Sequence, residues 1–138
     1  MDSQKKLDYW KEVAIYDLAT AEAMFSSGRY LYVAFMCQQS IEKLVKGIYV
    51  FHFDEEAPRT HNIWILITRL IEENKMDNQL KSYILNNKLY FADLTYYYIS
   101  ERYPSYKETL SSRLSKENAS NLLTLTKEVF ECLMSRYK

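Results

Sequence analysis

Glycine and proline, the residues on which most tight turns depend, are almost absent from this chain. Its 138 residues include only 2 glycines and 2 prolines. An all-β fold needs many tight turns, so this scarcity argues against one and predicts a mostly helical chain. It also excludes a glycine-rich phosphate-binding loop, because two glycines cannot build one.

The overall composition is that of an ordinary globular protein. Hydrophobic residues make up 48% and charged residues 26% of the chain, and the length predicts a single domain over residues 1–138. The 18 basic and 18 acidic side chains give a formal net charge of zero. This balance argues against a broad basic coat for nucleic acids but is compatible with a local basic patch.

No segment has the pattern of a leader, a membrane span or a metal site. The N-terminal residues MDSQKKLDYW lack the apolar run of a signal peptide, and no apolar stretch reaches the ~20 residues that span a bilayer. We therefore expect a cytoplasmic protein. Cys37, Cys132, His52 and His61 do not have metal-ligand spacing, which predicts two buried free thiols, no metal and no cofactor.

Apolar residues recur at steps of three and four, which predicts amphipathic helices. The predicted helices cover residues 3–27, residues 30–51, a short segment that begins at Thr60 or Asn62, residues 78–100, and a segment that begins after Ser115. Pro104 disfavours helix at Tyr103, so the fourth helix should end near Arg102, and a polar loop should follow. These segments predict an all-α, antiparallel up-and-down bundle of four to five helices.

The second predicted helix carries a polar row beside its apolar stripe. Gln38 lies close to the buried side, where its amide must find partners, and we expect it to bond another helix. Glu42, Lys43 and Lys46 lie on the same stretch. The row is interpreted either as a structural clasp with solvated charges or as a polar surface that faces a groove.

Two further candidates lie at predicted helix ends. Arg102 precedes the Tyr103-Pro104 break, where a guanidinium could bind phosphate bidentately from a rigid support. Alternatively, it is only a cation placed favourably at the negative end of a helix. His61 begins the third helix and is interpreted as a hydrogen-bonding residue or as a catalytic one.

The chain has 13 tyrosines, and many of them lie between Tyr83 and Tyr106. The three consecutive tyrosines at 96–98 are about 100° apart around a helix, so they cannot all face one core. Tyrosine is enriched at protein interfaces and can also stack on bases. Because the net charge is zero, we expect a homodimer interface rather than a nucleic-acid platform.

The order of these motifs resembles the HEPN family. The resemblance lies in Gln38-Gln39-x-x-Glu42-Lys43-x-x-Lys46, then Thr60-His61-Asn62, then Arg102-Tyr103-Pro104, and it covers nearly the whole chain. It implies a dimeric helical bundle that binds nucleotides, often encoded beside a minimal nucleotidyltransferase in a toxin–antitoxin-like pair. Arg102 matches the family's helix-end arginine, His61 its helix-three start, and Glu42, Lys43 and Lys46 its second-helix signature.

Ribonuclease members of this superfamily carry an arginine followed, after four to six residues, by a histidine. In this chain the positions that follow Arg102 at that spacing are Tyr106, Lys107 and Glu108. Histidine is the side chain best suited to exchange a proton near neutral pH, so its absence predicts a non-catalytic module. This module would bind a nucleotide or RNA phosphate and act with a nucleotidyltransferase subunit.

Two alternatives remain: a ribonuclease toxin with a non-standard site around Arg102, and a purely structural interaction protein. No catalytic residue is assigned. The ligand-binding candidates are Arg102, Tyr103, Tyr106, His61, Glu42, Lys43 and Lys46.

Overall fold

The computed structural model describes residues 2–137, and all the regular secondary structure in this range is helical. Within this range seven helices follow one another: α1 (Ser3–Ser26), α2 (Tyr30–Phe53), α3 (Ile63–Glu72), α4 (Asn78–Asn86), α5 (Lys88–Arg102), α6 (Pro104–Arg113) and α7 (Lys116–Met134). The prediction of an all-helical fold is confirmed, whereas the predicted count of four to five helices is wrong. The two extra helices arise from one helix that divides and one loop that is helical.

The first two helices form an antiparallel hairpin. Gly28 lies in the connection with φ +72°, a conformation that glycine adopts without steric cost. Trp10, near the start of α1, touches Gly47 in the second half of α2, and Asp17, farther along α1, is paired with Lys43 of α2. Residues farther along α1 therefore contact residues nearer the start of α2, so the two helices are antiparallel.

The predicted fourth helix divides at Asn87. This residue has φ −111° and ψ 25°, between α4 and α5. Its side-chain amide donates to the carbonyl oxygen of Tyr83 at 2.8 Å. Asparagine side chains compete in this way for backbone groups, which explains a break that the apolar pattern does not reveal.

The segment predicted as a polar loop after Pro104 is the helix α6. Pro104 lies in its first turn, where the missing proline N–H has no helical partner to lose. Leu110 is the buried residue of α6, so the segment lacks the apolar periodicity that would have predicted it. The expected end of the preceding helix at Arg102 is confirmed.

Helix α2 lies at the centre of the packing. It contacts α1, α3, α5, α6 and α7, and it buries residues on most of its circumference. A helix that is surrounded in this way places its polar side chains inside the molecule, where they need partners. Within the described range, no helix is both long and apolar enough to cross a bilayer.

Both cysteines are free thiols, as predicted. Cys37 of α2 is buried, in a small cluster with residues of α1 and α7. Cys132 of α7 is only half-buried, so the expectation that both thiols are buried is wrong for this one.

Candidate functional site

The carboxylate of Glu42 is a buried acceptor for three donors. Its side chain is 2% exposed. The Oε1 atom accepts from Nε2 of Gln38 at 2.8 Å and lies 2.9 Å from Nδ1 of His61. The Oε2 atom accepts from Nζ of Lys46 at 3.0 Å. Together these donors compensate the burial of a charge that would otherwise be costly.

The prediction that Gln38 bonds another helix is therefore wrong. Its amide is fully buried, as predicted, but it bonds Glu42 one turn along the same helix rather than a group on another helix. The contact with the next element is made by Glu42, whose carboxylate reaches His61 just before α3.

A second arm of the network runs toward α1. Lys43 Nζ donates to Asp17 Oδ2 at 2.8 Å and to Gln39 Oε1 at 3.2 Å. Gln39 Nε2 donates to Gln38 Oε1 at 2.7 Å. Lys43 is thus committed to an ion pair with α1, and a continuous chain of hydrogen bonds joins Asp17 to His61.

Glu42 fixes the proton on one nitrogen of His61. A carboxylate only accepts hydrogen bonds, so Nδ1 must be the protonated nitrogen that donates. The imidazole side chain is 48% exposed, and within residues 2–137 its Nε2 atom has no hydrogen-bond partner. The Nε2 atom of His61 is therefore available as an acceptor when the ring is neutral.

An aromatic stack joins His61 to the end of α5. The rings of His61 and Tyr98 are parallel within 18°, with centroids 3.9 Å apart. Phe35 of α2 stacks on Tyr98 with a centroid distance of 6.2 Å. Arg102 lies one turn beyond Tyr98, where its Nη1 donates to the phenolic oxygen at 3.0 Å and its guanidinium carbon is 5.3 Å from the ring centroid.

Arg102 keeps most of its hydrogen-bonding capacity. It is exposed at the last position of α5, and among residues 2–137 it forms no ion pair with a carboxylate. A guanidinium has five N–H donors, and the bond to Tyr98 uses one of them. The structure thus brings Arg102, Tyr98 and His61 to one exposed surface, which we call the 61–98–102 surface.

The tyrosines that follow Arg102 belong to a neighbouring cluster. Tyr103 and Tyr106 are 56% and 51% exposed, and their rings meet edge to face. Tyr106 also contacts Tyr96. These rings lie at the corner between α5 and α6, and their ring contacts are with one another and with Tyr96.

A model of the HEPN domain matches residues 7–137, which is nearly the whole chain. The chain belongs to the HEPN family. Comparison with curated proteins and with solved structures gives no match. Membership of this family indicates a function related to nucleotides or RNA.

In this HEPN domain, the sequence predicted Arg102 and His61 as site residues but not the aromatic residue that lies between them. The side chain of Tyr98 connects His61 to Arg102, and Phe35 packs against Tyr98, yet neither was a ligand-binding candidate. The four-residue spacing between Tyr98 and Arg102, which puts both side chains on one helix face, was the available signal. The contact with His61 had no signal, since it joins parts of the chain 37 positions apart.

Proposed function

We propose that the 61–98–102 surface binds a phosphate group of RNA or of a nucleotide. The observation that carries the proposal is the position of Arg102, whose guanidinium is exposed, free of carboxylate partners in the described range and steadied by Tyr98. A planar guanidinium with free donors is well suited to bidentate phosphate recognition. The exposed imidazole of His61 adds a further hydrogen-bonding group to the same surface.

Calorimetric titration with ATP, other nucleotides and short single-stranded RNA tests this proposal. A charge-assisted hydrogen bond contributes roughly 1.5–3 kcal/mol, so Arg102→Ala should weaken binding about tenfold or more. Arg113→Ala is the matched control, because Arg113 is also an exposed arginine at the last position of a helix. Absence of heat with every ligand, or equal affinity in Arg102→Ala, would overturn the proposal.

A second candidate function is RNA cleavage, and the pairing of His61 with Glu42 favours it. The sequence lacks a histidine at the expected spacing after Arg102, but His61 approaches the same surface from another part of the fold. In this candidate, Nε2 of His61 takes the proton of a ribose 2′-hydroxyl, and the 2′-oxygen attacks phosphorus. The bond to the 5′-oxygen breaks, leaving a cyclic phosphate, and that oxygen takes a proton from water.

Incubation with total RNA separates this candidate from simple binding. His61→Phe retains a ring against Tyr98 but removes both nitrogens, so it should abolish cleavage. Glu42 keeps its bonds to Gln38 and Lys46 in this variant, and circular dichroism checks that the helical fold is retained. Arg102→Gln should slow cleavage strongly, because it removes a cation beside the reacting phosphate. Intact RNA after incubation with the wild-type chain would eliminate this candidate and leave the non-catalytic binding module.

The proposal includes a homodimer that acts with a nucleotidyltransferase subunit. Its support is the set of exposed large side chains along α5 and α6, which a protein partner would cover. These are Leu89, Ile99, Tyr103 and Tyr106, with exposures of 81%, 39%, 56% and 51%. Light scattering that gives a monomer at micromolar concentration would contradict the dimer, and co-purification with a co-expressed nucleotidyltransferase tests the partner.

A further inference from the structure

A groove of about 400 Å³ lies between α5 and α7, beside the break between α4 and α5. Its volume falls within the range of about 300–1,000 Å³ that is typical of small-molecule sites. Helix α5 contributes Asp93 and Tyr97 to the lining, and α7 contributes Leu122 and Leu125. None of the three residues of the 61–98–102 surface lines this groove, so the two sites are separate.

Asp93 is the one charged side chain among the described residues that line the groove. Within residues 2–137 its carboxylate has neither an ion pair nor a hydrogen bond. The nearest cation along α5 is Lys88, whose ammonium lies 5.5 Å from the ring centroid of Trp64, a residue outside the lining. The groove therefore has one negative charge that no lining cation offsets, which favours a ligand with a single positive charge.

The surroundings of Asp93 remove water without supplying a cation. Burial raises the pKa of its carboxyl above the usual value, because desolvation disfavours the charged form. A cation placed against this carboxylate would reverse the effect. Burial also raises the pKa of Tyr97 to about 12, so the neighbouring hydroxyl is neutral near neutral pH and adds no second charge.

At least three oxygen acceptors of the groove lack a partner within residues 2–137. Two belong to α5: the carboxylate of Asp93 and, one turn along the same helix face, the hydroxyl of Tyr97. The third is the side-chain oxygen of Asn87, whose amide nitrogen is occupied by its bond to the carbonyl of Tyr83. A primary ammonium has three N–H donors and no acceptor, so it matches this set.

The α7 side of the groove is apolar. Leu122 and Leu125 line it and are half-buried, so each keeps part of its surface accessible. The two helices are joined beside the groove by a hydrogen bond of 2.8 Å between the hydroxyls of Tyr90 and Thr126. An apolar wall that faces a carboxylate suits a ligand that carries its charge at the end of a hydrocarbon stem.

We propose that this groove binds a primary ammonium on an aliphatic stem, the chemistry shared by a free alkylamine and a lysine side chain. The ammonium pairs with Asp93 and donates to Asn87 and Tyr97, and the stem packs on the leucines of α7. A metal cation is disfavoured, because the groove has one carboxylate and an apolar wall. This inference goes beyond the proposed function, since its ligand is a cation and its site does not use the phosphate surface.

Amide NMR of the isotope-labelled chain, titrated with pentylamine, tests the groove. The signals of Asp93, Tyr97 and Leu122 should shift. Pentanol keeps the stem without the charge, and methylamine keeps the charge without the stem, so each should bind about tenfold or more weakly than pentylamine. Acetyl-lysine methylamide, with a free side-chain ammonium, distinguishes the two sources: affinity equal to that of pentylamine indicates a lysine of a polypeptide, and weaker binding indicates a free amine.

Three variants assign the binding to this groove. Asp93→Asn removes the charge from an exposed residue and should weaken pentylamine about tenfold or more. Asp8→Asn is the matched control, because Asp8 is an exposed aspartate within α1, and it should bind like the wild-type chain. Leu89 lines the groove and also belongs to the proposed dimer surface. Leu89→Ser is therefore titrated in parallel, so that a second copy of the chain does not hide the groove.

Absence of these shifts in both the wild-type chain and Leu89→Ser overturns the inference. Equal affinity for pentylamine in Asp93→Asn, or equal affinity of the wild-type chain for pentanol, overturns it as well. Arg102→Gln should leave pentylamine binding unchanged, and a loss in that variant would overturn the assignment to this groove. None of these failures rejects the phosphate surface, which is tested with RNA.

Discussion

Replacement of Glu42 by glutamine replaces a buried carboxylate, which only accepts hydrogen bonds, with an amide, whose oxygen accepts and whose nitrogen donates. The carboxylate accepts from Gln38 and His61 at Oε1 and from Lys46 at Oε2. A glutamine can keep its carbonyl oxygen where Oε1 lies, but its amide nitrogen then faces the ammonium of Lys46. In the flipped orientation, the same nitrogen faces two donors instead of one, so the first arrangement is the less costly.

The loss of stability expected for Glu42→Gln follows from this geometry. At least one charge-assisted hydrogen bond is lost, at about 1.5–3 kcal/mol, and a buried donor is left without an acceptor. Side-chain exposures of 2% for Glu42 and 13% for Lys46 mean that water cannot readily compensate. We therefore expect Glu42→Gln to lower the free energy of unfolding by about 2–4 kcal/mol.

Urea unfolding followed by circular dichroism measures this loss. Glu12→Gln is the control, because Glu12 is an exposed glutamate within α1 and should change stability by less than about 0.5 kcal/mol. Lys46→Met completes a double-mutant cycle, since it removes the ammonium that opposes the new amide. The double variant should lose less stability than the two single losses added together. A loss below about 0.5 kcal/mol in Glu42→Gln, or strict additivity, would refute the buried network.

Three further predictions concern packing, pH and thiol chemistry. Gly47→Ala should cost about 1–3 kcal/mol in urea unfolding, because its Cβ would be 2.6 Å from that of Trp10; an unchanged midpoint would contradict this packing. Burial lowers the pKa of His52 below its usual 6.5, so the unfolded state binds more protons as the pH falls through and below that value. The contribution of His52 to the free energy of unfolding should therefore be complete above pH 6.5 and be lost as the pH falls below it. His52→Gln should make the plot of unfolding free energy against pH flatter in this range; an equally steep plot would contradict the assignment. Burial raises the pKa of the Cys37 thiol to about 12, so in native protein it should react with a disulfide reagent far more slowly than the half-buried Cys132; equal rates in single-cysteine variants would count against this.

The parts of the fold that sequence reasoning predicted correctly are those with strong apolar periodicity. The hairpin of α1 and α2 and the last helix have this pattern, and proline correctly predicted the end of α5 at Arg102. The break at Asn87 was missed because it depends on a side-chain hydrogen bond to Tyr83 rather than on an apolar pattern. Helix α6 was missed because Leu110 is its one buried residue, and one buried residue makes no apolar periodicity. The remaining sequence signal for a helix was the proline in its first turn.

The candidate site was predictable in its residue types but not in its connections. The polar row on α2 indicated that Gln38 needs a partner, and the start of the third helix supplied His61. The interpretation of Glu42 as a solvated charge is wrong, because its side chain is buried. That Glu42 bonds both Gln38 and His61 depends on how α2 packs against the loop before α3, which spacing along one helix cannot reveal. The same holds for the contact of His61 with Tyr98, which joins α5 to that loop.

The affinity for a short single-stranded RNA, measured by fluorescence anisotropy at a series of stated salt concentrations, tests the central claim most directly. That claim is that the 61–98–102 surface binds phosphate through Arg102. Arg102→Gln should weaken binding about tenfold or more and should reduce the dependence of affinity on salt by about one phosphate contact. Arg113→Gln, the same change at the last residue of α6, should bind like the wild-type chain. Equal affinities in all three proteins, or no binding by the wild-type chain, would contradict the claim.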